Sequence, residues 1–126
     1  MKRIALLLVA APSFLYLACH SAEVTRFNDT EYPPTTKVSV YSDPGKAPNK
    51  YIEIGYVEAS GGMTVSKAAL LEDMKQKAME EGADALIKVE FYDSTHYNAN
   101  SGSYDKPHAK AVMIKFQSTK PTRKAK

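Results

Sequence analysis

The 126 residues are 44% hydrophobic and contain no tryptophan, enough apolar material for one small core and too little chain for two. The formal charge of +3 is unevenly placed: residues 19–117 carry 11 basic against 14 acidic side chains, and the last nine residues hold Lys120, Arg123, Lys124 and Lys126. A mildly acidic body with a basic tail argues against nucleic acid as a partner, because such a domain sets a dense Lys/Arg field on its folded surface.

Lys2 and Arg3 precede the apolar run IALLLVAAPSFLYLA, which has the charged start and short apolar middle of a secretory signal. A spanning helix needs ~20 apolar residues, and Pro12 interrupts this run, so residues 1–18 read as a cleaved segment and not as a membrane span. The only cysteine, Cys19, follows Leu15-Tyr16-Leu17-Ala18. That position resembles a bacterial lipoprotein signal, in which cleavage falls just before a cysteine that is then acylated. A lone thiol in an oxidising compartment is a liability unless it is used, and lipidation uses it. The resemblance implies a lipid anchor at Cys19, and His20, in place of the aspartate that retains such proteins at the inner membrane, implies the outer membrane.

Residues 19–36 show no sustained period and end in Pro33-Pro34, which favours an extended conformation, so they are expected to form a tether. Lys37–Tyr41 places Val38 and Val40 inward as a short strand, and Ser42-Asp43-Pro44-Gly45 supplies a turn. A second strand over Tyr51–Ala59 puts Ile52, Ile54 and Tyr56 on one face and Val57 and Ala59 on the other, with Gly55 as a bulge between them.

From Lys67 to Phe91 the chain reads as a helix, a glycine stop and a strand. Ala68, Leu71, Met74 and Ala78 recur at spacings of three and four and predict the buried face. Thr64 or Ser66 is the N-cap, Asp73 and Lys77 are an i,i+4 pair, and Gly82 suits the left-handed position past the helix end. Ala85, Ile87, Val89 and Phe91 then alternate with polar or outward residues, and that set is expected to face the core. A last strand over Lys110–Phe116 alternates Val112, Ile114 and Phe116 with Ala111, Met113 and Lys115. The order strand, strand, helix, strand, strand predicts an α+β fold over 37–117, with a mostly antiparallel sheet of about four strands and one helix on one face. Residues 118–126 are expected to be a basic tail outside the fold.

Between the last two strands, Ser94–His108 lacks apolar periodicity and reads as a long loop, a common place for function. His96, His108 and Asp105, with Asp93, Tyr97 and Tyr104 nearby, are the candidate metal or ligand-binding residues. Their spacing matches no dedicated site such as HExxH or paired CxxC. No local signature sets a nucleophile beside a base, and Gly61-Gly62 lacks the lysine and spacing of a phosphate loop, so no catalytic residue and no cofactor is expected.

The run from Ile54-Gly55-Tyr56-Val57 through Ser66-Lys67-Ala68-Ala69 to Gly82-Ala83-Asp84-Ala85-Leu86-Ile87-Lys88-Val89 resembles the YbjQ-like family of small bacterial domains, which bear a heavy-metal-binding label. Set behind a lipidated cysteine, the same order is similar to lipid-anchored envelope sensors of the Rcs type. The resemblance covers roughly residues 37–117 and implies a non-enzymatic envelope lipoprotein that binds or senses, with metal binding through the 94–108 loop as the alternative. Its partners would be the membrane, through the anchor, and envelope proteins or the cell wall. Those sensors carry disulfides, and here no cysteine remains beyond Cys19.

Overall fold

A computed structural model describes residues 20–48 and 50–117; the segment expected to be a signal (1–18), Cys19 and the tail 118–126 lie outside the described residues. Five strands form one sheet: β1 (His20–Arg26), β2 (Ser39–Tyr41), β3 (Tyr51–Gly61), β4 (Ala85–Asn98) and β5 (Gly102–Phe116). One helix, α1 (Lys67–Glu80), joins β3 to β4. The spatial order is β1-β3-β5-β4-β2, antiparallel throughout except for β2 beside β4. The α+β class with a single helix is as expected, but the sheet has five strands and not about four.

The extra strand comes from the segment expected to be a tether. Ser21 to Arg26 alternates Ala22 and Val24, which pack against the core, with exposed Glu23 and Thr25. That pattern is too short to stand alone, but β3 offers a free edge, and His20–Arg26 pairs with Gly61–Gly55 along its whole length. The rest of the segment is pinned as well: Thr35 donates its amide to Met79 O at 2.9 Å and its hydroxyl to Ala83 O at 2.6 Å. Arg26 Nε meets Glu81 Oε2 at 2.6 Å, tying the edge strand to the helix end.

Ser66 caps α1, accepting from the Ala69 amide at 3.1 Å, and Gly82 follows at φ 80°. The buried face is Leu70, Met74 and Ala78, spaced by four, whereas Ala68 is exposed and Leu71 is only partly buried. The expected stripe was one residue out of phase at its N-terminal end. Those side chains pack on Ile54, Val57, Leu86 and Met113, with Ala59, Ala109 and Ala111 keeping the sheet surface low enough for close approach.

Two bulges on either side of β5 decide which residues face the helix. The register shifts between Glu53 and Gly55, as the glycine suggested, and again between Ile87 and Glu90, where Lys88 sits at φ 53°. The second bulge divides the set expected on one face. Val89 packs with the helix-side core, while Ala85 and Ile87 join Val112 and Ile114 in a second cluster on the opposite face. Tyr41, Ala47, Tyr51 and Phe116 cover that cluster. The first bulge likewise separates Tyr56, which is half exposed, from Ile54.

Ser94–His108 is no loop. β4 and β5 stay paired out to Asn98 and Gly102, so most of it is a two-stranded arm closed by a three-residue turn. Asn98 accepts from the Asn100 amide at 2.9 Å, and Gly102 takes φ 81°, the arrangement of a three-residue hairpin with its glycine in the left-handed region.

Candidate functional site

Strand alternation and register build the site on the sheet face away from the helix. Thr25, Tyr56 and Val112 form one row across the strands; Glu23, Glu58, Lys110 and Glu90 form the next; Ser21, Ser60, His108 and Tyr92 form a third. The arm continues the face with Ser94 opposite Lys106 and His96 opposite Tyr104. An open concavity of about 510 Å³ lies over the first two rows. A smaller one of about 210 Å³ lies between Glu23, Ser60 and His108.

The concavity is lined by paired charges. Lys110 meets Glu90 at 3.2 Å, and Lys88 meets Glu53 at 3.2 Å across the two bulges. The Tyr92 hydroxyl donates to the Glu58 carboxylate. That bond, then burial, then the negative charge of Glu58 push the Tyr92 phenol up to about 12. The Tyr92 ring stacks on His108, centroids 5.0 Å apart and planes within 7°.

Above it, Ser94 Oγ lies 2.5 Å from His108 Nε2 and 3.0 Å from His96 Nε2. One hydroxyl can satisfy both rings when one imidazole nitrogen accepts its proton and the other donates to its lone pair. His96 also stacks on Tyr104 at 5.7 Å. Two of the three sequence-chosen residues, His96 and His108, are therefore brought together. Asp105 is not, because it projects from the other face of the arm, where Thr95 donates to it at 2.7 Å. Among the described residues, no group of three or more His, Cys, Asp or Glu could hold a metal ion.

Ser94 is the member that reading the sequence missed. The one signal was the turn, since Asn98-Ala99-Asn100-Ser101-Gly102 is dense in turn formers. The contact also places a hydroxyl beside an imidazole, the first half of a nucleophile-and-base pair. The second half is a group that orients the base, and among the described residues the hydrogen bonds of both imidazoles run only to Ser94.

The Gly82-Ala83-Asp84 turn is structural here. Asp84 accepts from the Phe116 amide at 2.8 Å and meets Lys115 Nζ at 3.4 Å, locking the start of β4 to the end of β5. A Cβ on Gly82 would lie 2.6 Å from Pro33 O and Tyr32 Cβ. No family model, no curated protein and no solved structure matches the chain. No helix among the described residues is long and apolar enough to cross a membrane.

Proposed function

We propose that the chain is a lipoprotein of the bacterial cell envelope, anchored by acyl chains on Cys19, facing the periplasm from the outer membrane, and carrying a small non-enzymatic domain that binds or senses. The observation that carries this reading is the single cysteine placed straight after a charged start and a short apolar run. Two or three acyl chains, at ~0.8 kcal/mol per buried CH₂, hold a protein durably on a bilayer. The binding role is supported by the open face, where tyrosines and paired charges surround a concavity and neither imidazole has a carboxylate partner among the described residues. Lys120, Arg123, Lys124 and Lys126 follow Gln117, which sits beside Lys50 at the end of the sheet remote from His20. Four basic residues within seven positions suit an anionic partner, such as the cell wall. Cys19→Ser should abolish labelling by a fatty-acid analogue and move the protein into the soluble fraction. Unchanged partitioning would overturn the anchor.

One observation favours a second reading, metal binding on the arm. Both Nε2 atoms, of His96 and His108, converge on one point at Ser94 Oγ. Two neutral imidazoles with solvent completing the shell suit a borderline cation such as Zn²⁺. Titration with Zn²⁺ should then show one-to-one binding that is lost in both His96→Ala and His108→Ala. Equal binding by all three proteins would dismiss it.

A further inference from the structure

The point where β1 begins fixes how the domain would sit on a bilayer. Cys19 is one peptide bond from His20, the first residue of a strand paired to the sheet along its whole length, so no slack separates the anchor from the fold. His20 is level with Gly61, and Ser60 with His108 and Tyr92, so the anchored end of the sheet is the end from which the β4–β5 arm projects. From Asp93 to Asn98 the arm runs about 16 Å beyond the level of His20, at ~3.3 Å per residue. It does so without a flanking strand on either side, since β2 pairs only with Ala85–Ile87 and β3 stops at Gly61.

A second observation is independent of the cysteine. Nine large apolar or aromatic side chains are exposed among the described residues, and five of them, Met63, Phe91, Tyr92, Tyr97 and Tyr104, gather at this end. Met63 is 69% and Tyr97 81% exposed. Lys67 lies over the Phe91 ring at 5.6 Å, and the half-buried Lys106 stands opposite Ser94 on the arm. An exposed tyrosine such as Tyr97, an apolar ring with a polar tip and lysines in the neighbourhood, is the kind of side chain that settles at the headgroup level of a bilayer.

We propose that the arm is a second membrane contact, lying in the phospholipid headgroup layer beside the acylated cysteine; the contact rests on the anchoring proposed above. Its depth follows from its chemistry. The arm has unpaired strand edges, whose amides and carbonyls the hydrocarbon core would leave without hydrogen-bond partners, and carries Asp93 and Asp105, whose charges are costly there. The headgroup layer is only ~5–7 Å thick on each side, so an arm of about 16 Å fits only at a shallow angle to the bilayer plane. β4 and β5 continue from the arm into the sheet, so at that angle the lower end of the sheet, with Gln117, lies farther from the bilayer than the tip of the arm. Because Asp93 and Asp105 balance the lysines, the contact is interfacial and persists in salt.

The absence of tryptophan makes a direct test available. Tyr97→Trp and, at the lower end of the sheet, Ile52→Trp are made separately in the full acylated chain and reconstituted into phosphatidylethanolamine/phosphatidylglycerol vesicles. Headgroup-labelled quencher lipids should quench position 97 at least severalfold more than position 52, and more than chain-labelled lipids do, at both low and high salt. Equal quenching at the two positions, no quenching at 97, or quenching that salt abolishes overturns the proposal. Flotation of Cys19→Ser with the same vesicles separates the two ideas. If the wild type floats and this variant does not, the anchor stands, and the quenching pattern alone decides the arm.

Discussion

The two halves of the β4–β5 ladder share one backbone pairing and little else. In the lower half, Ala85, Leu86, Ile87, Val112, Met113 and Ile114 are buried, with the helix on one face and the β2–β3 connection on the other. In the upper half, from Asp93 to Pro107, every residue is exposed except the half-buried Ser94, Lys106 and Pro107. The lower half is stabilised by removal of apolar surface from water, at roughly 25 cal/mol per Å². The upper half is held by cross-strand stacking and side-chain hydrogen bonds, each contributing about 0.2–1 kcal/mol. A strand can thus persist beyond the core that nucleates it, and the part that persists is the part free to meet something else.

That contrast can be broken at several points, and the largest effect should come from the core. Leu70→Ala, fully buried under the sheet, should cost about 2–5 kcal/mol in urea denaturation. Leu71→Ala, partly exposed, should cost clearly less, and the reverse order would mean that the helix is rotated. Gly82→Ala comes next, at about 1–3 kcal/mol, because the residue must keep a left-handed φ while its methyl group meets Pro33 and Tyr32. A thermal melt indistinguishable from wild type would remove that contact from the fold.

The boundary between the halves is sensitive to alkali. With the Tyr92 phenol raised to about 12 from an ordinary value near 10, the fold favours the neutral form. Its contribution is complete below pH about 10 and is lost as the pH rises through about 12. Tyr92 is 39% exposed, so solvent screening keeps this effect below the previous two. Tyr92→Phe should flatten the loss of stability across that window, and identical slopes for the two proteins would show that the bond to Glu58 does not form. Smallest of all, Ser94→Ala should leave global stability within about 0.5 kcal/mol, as for a surface change. Amides of the arm should exchange with solvent faster than those of Ala85–Ile87. Equal protection of the two halves would mean that the arm unfolds only with the core.

What could be read directly from the chain was what local chemistry specifies. Ser66 as the cap, Gly82 as the stop, the helix-to-strand order and the bulge at Gly55 all depend on neighbours a few residues away. The lower strands were legible for the same reason, since burial leaves an apolar alternation. The arm had no such alternation, and its pairing rests on backbone amides and carbonyls that are alike in every residue. His96 and His108, twelve positions apart, meet only because the ladder register sets Ser94 between them. Only the tertiary structure decided the rest. A free edge on β3 made a strand of His20–Arg26, whose own alternation spans too few residues to specify one. The bulge at Lys88 exchanged the faces of Ala85 and Ile87 relative to Val89, because one extra residue in one strand reverses every side chain that follows it.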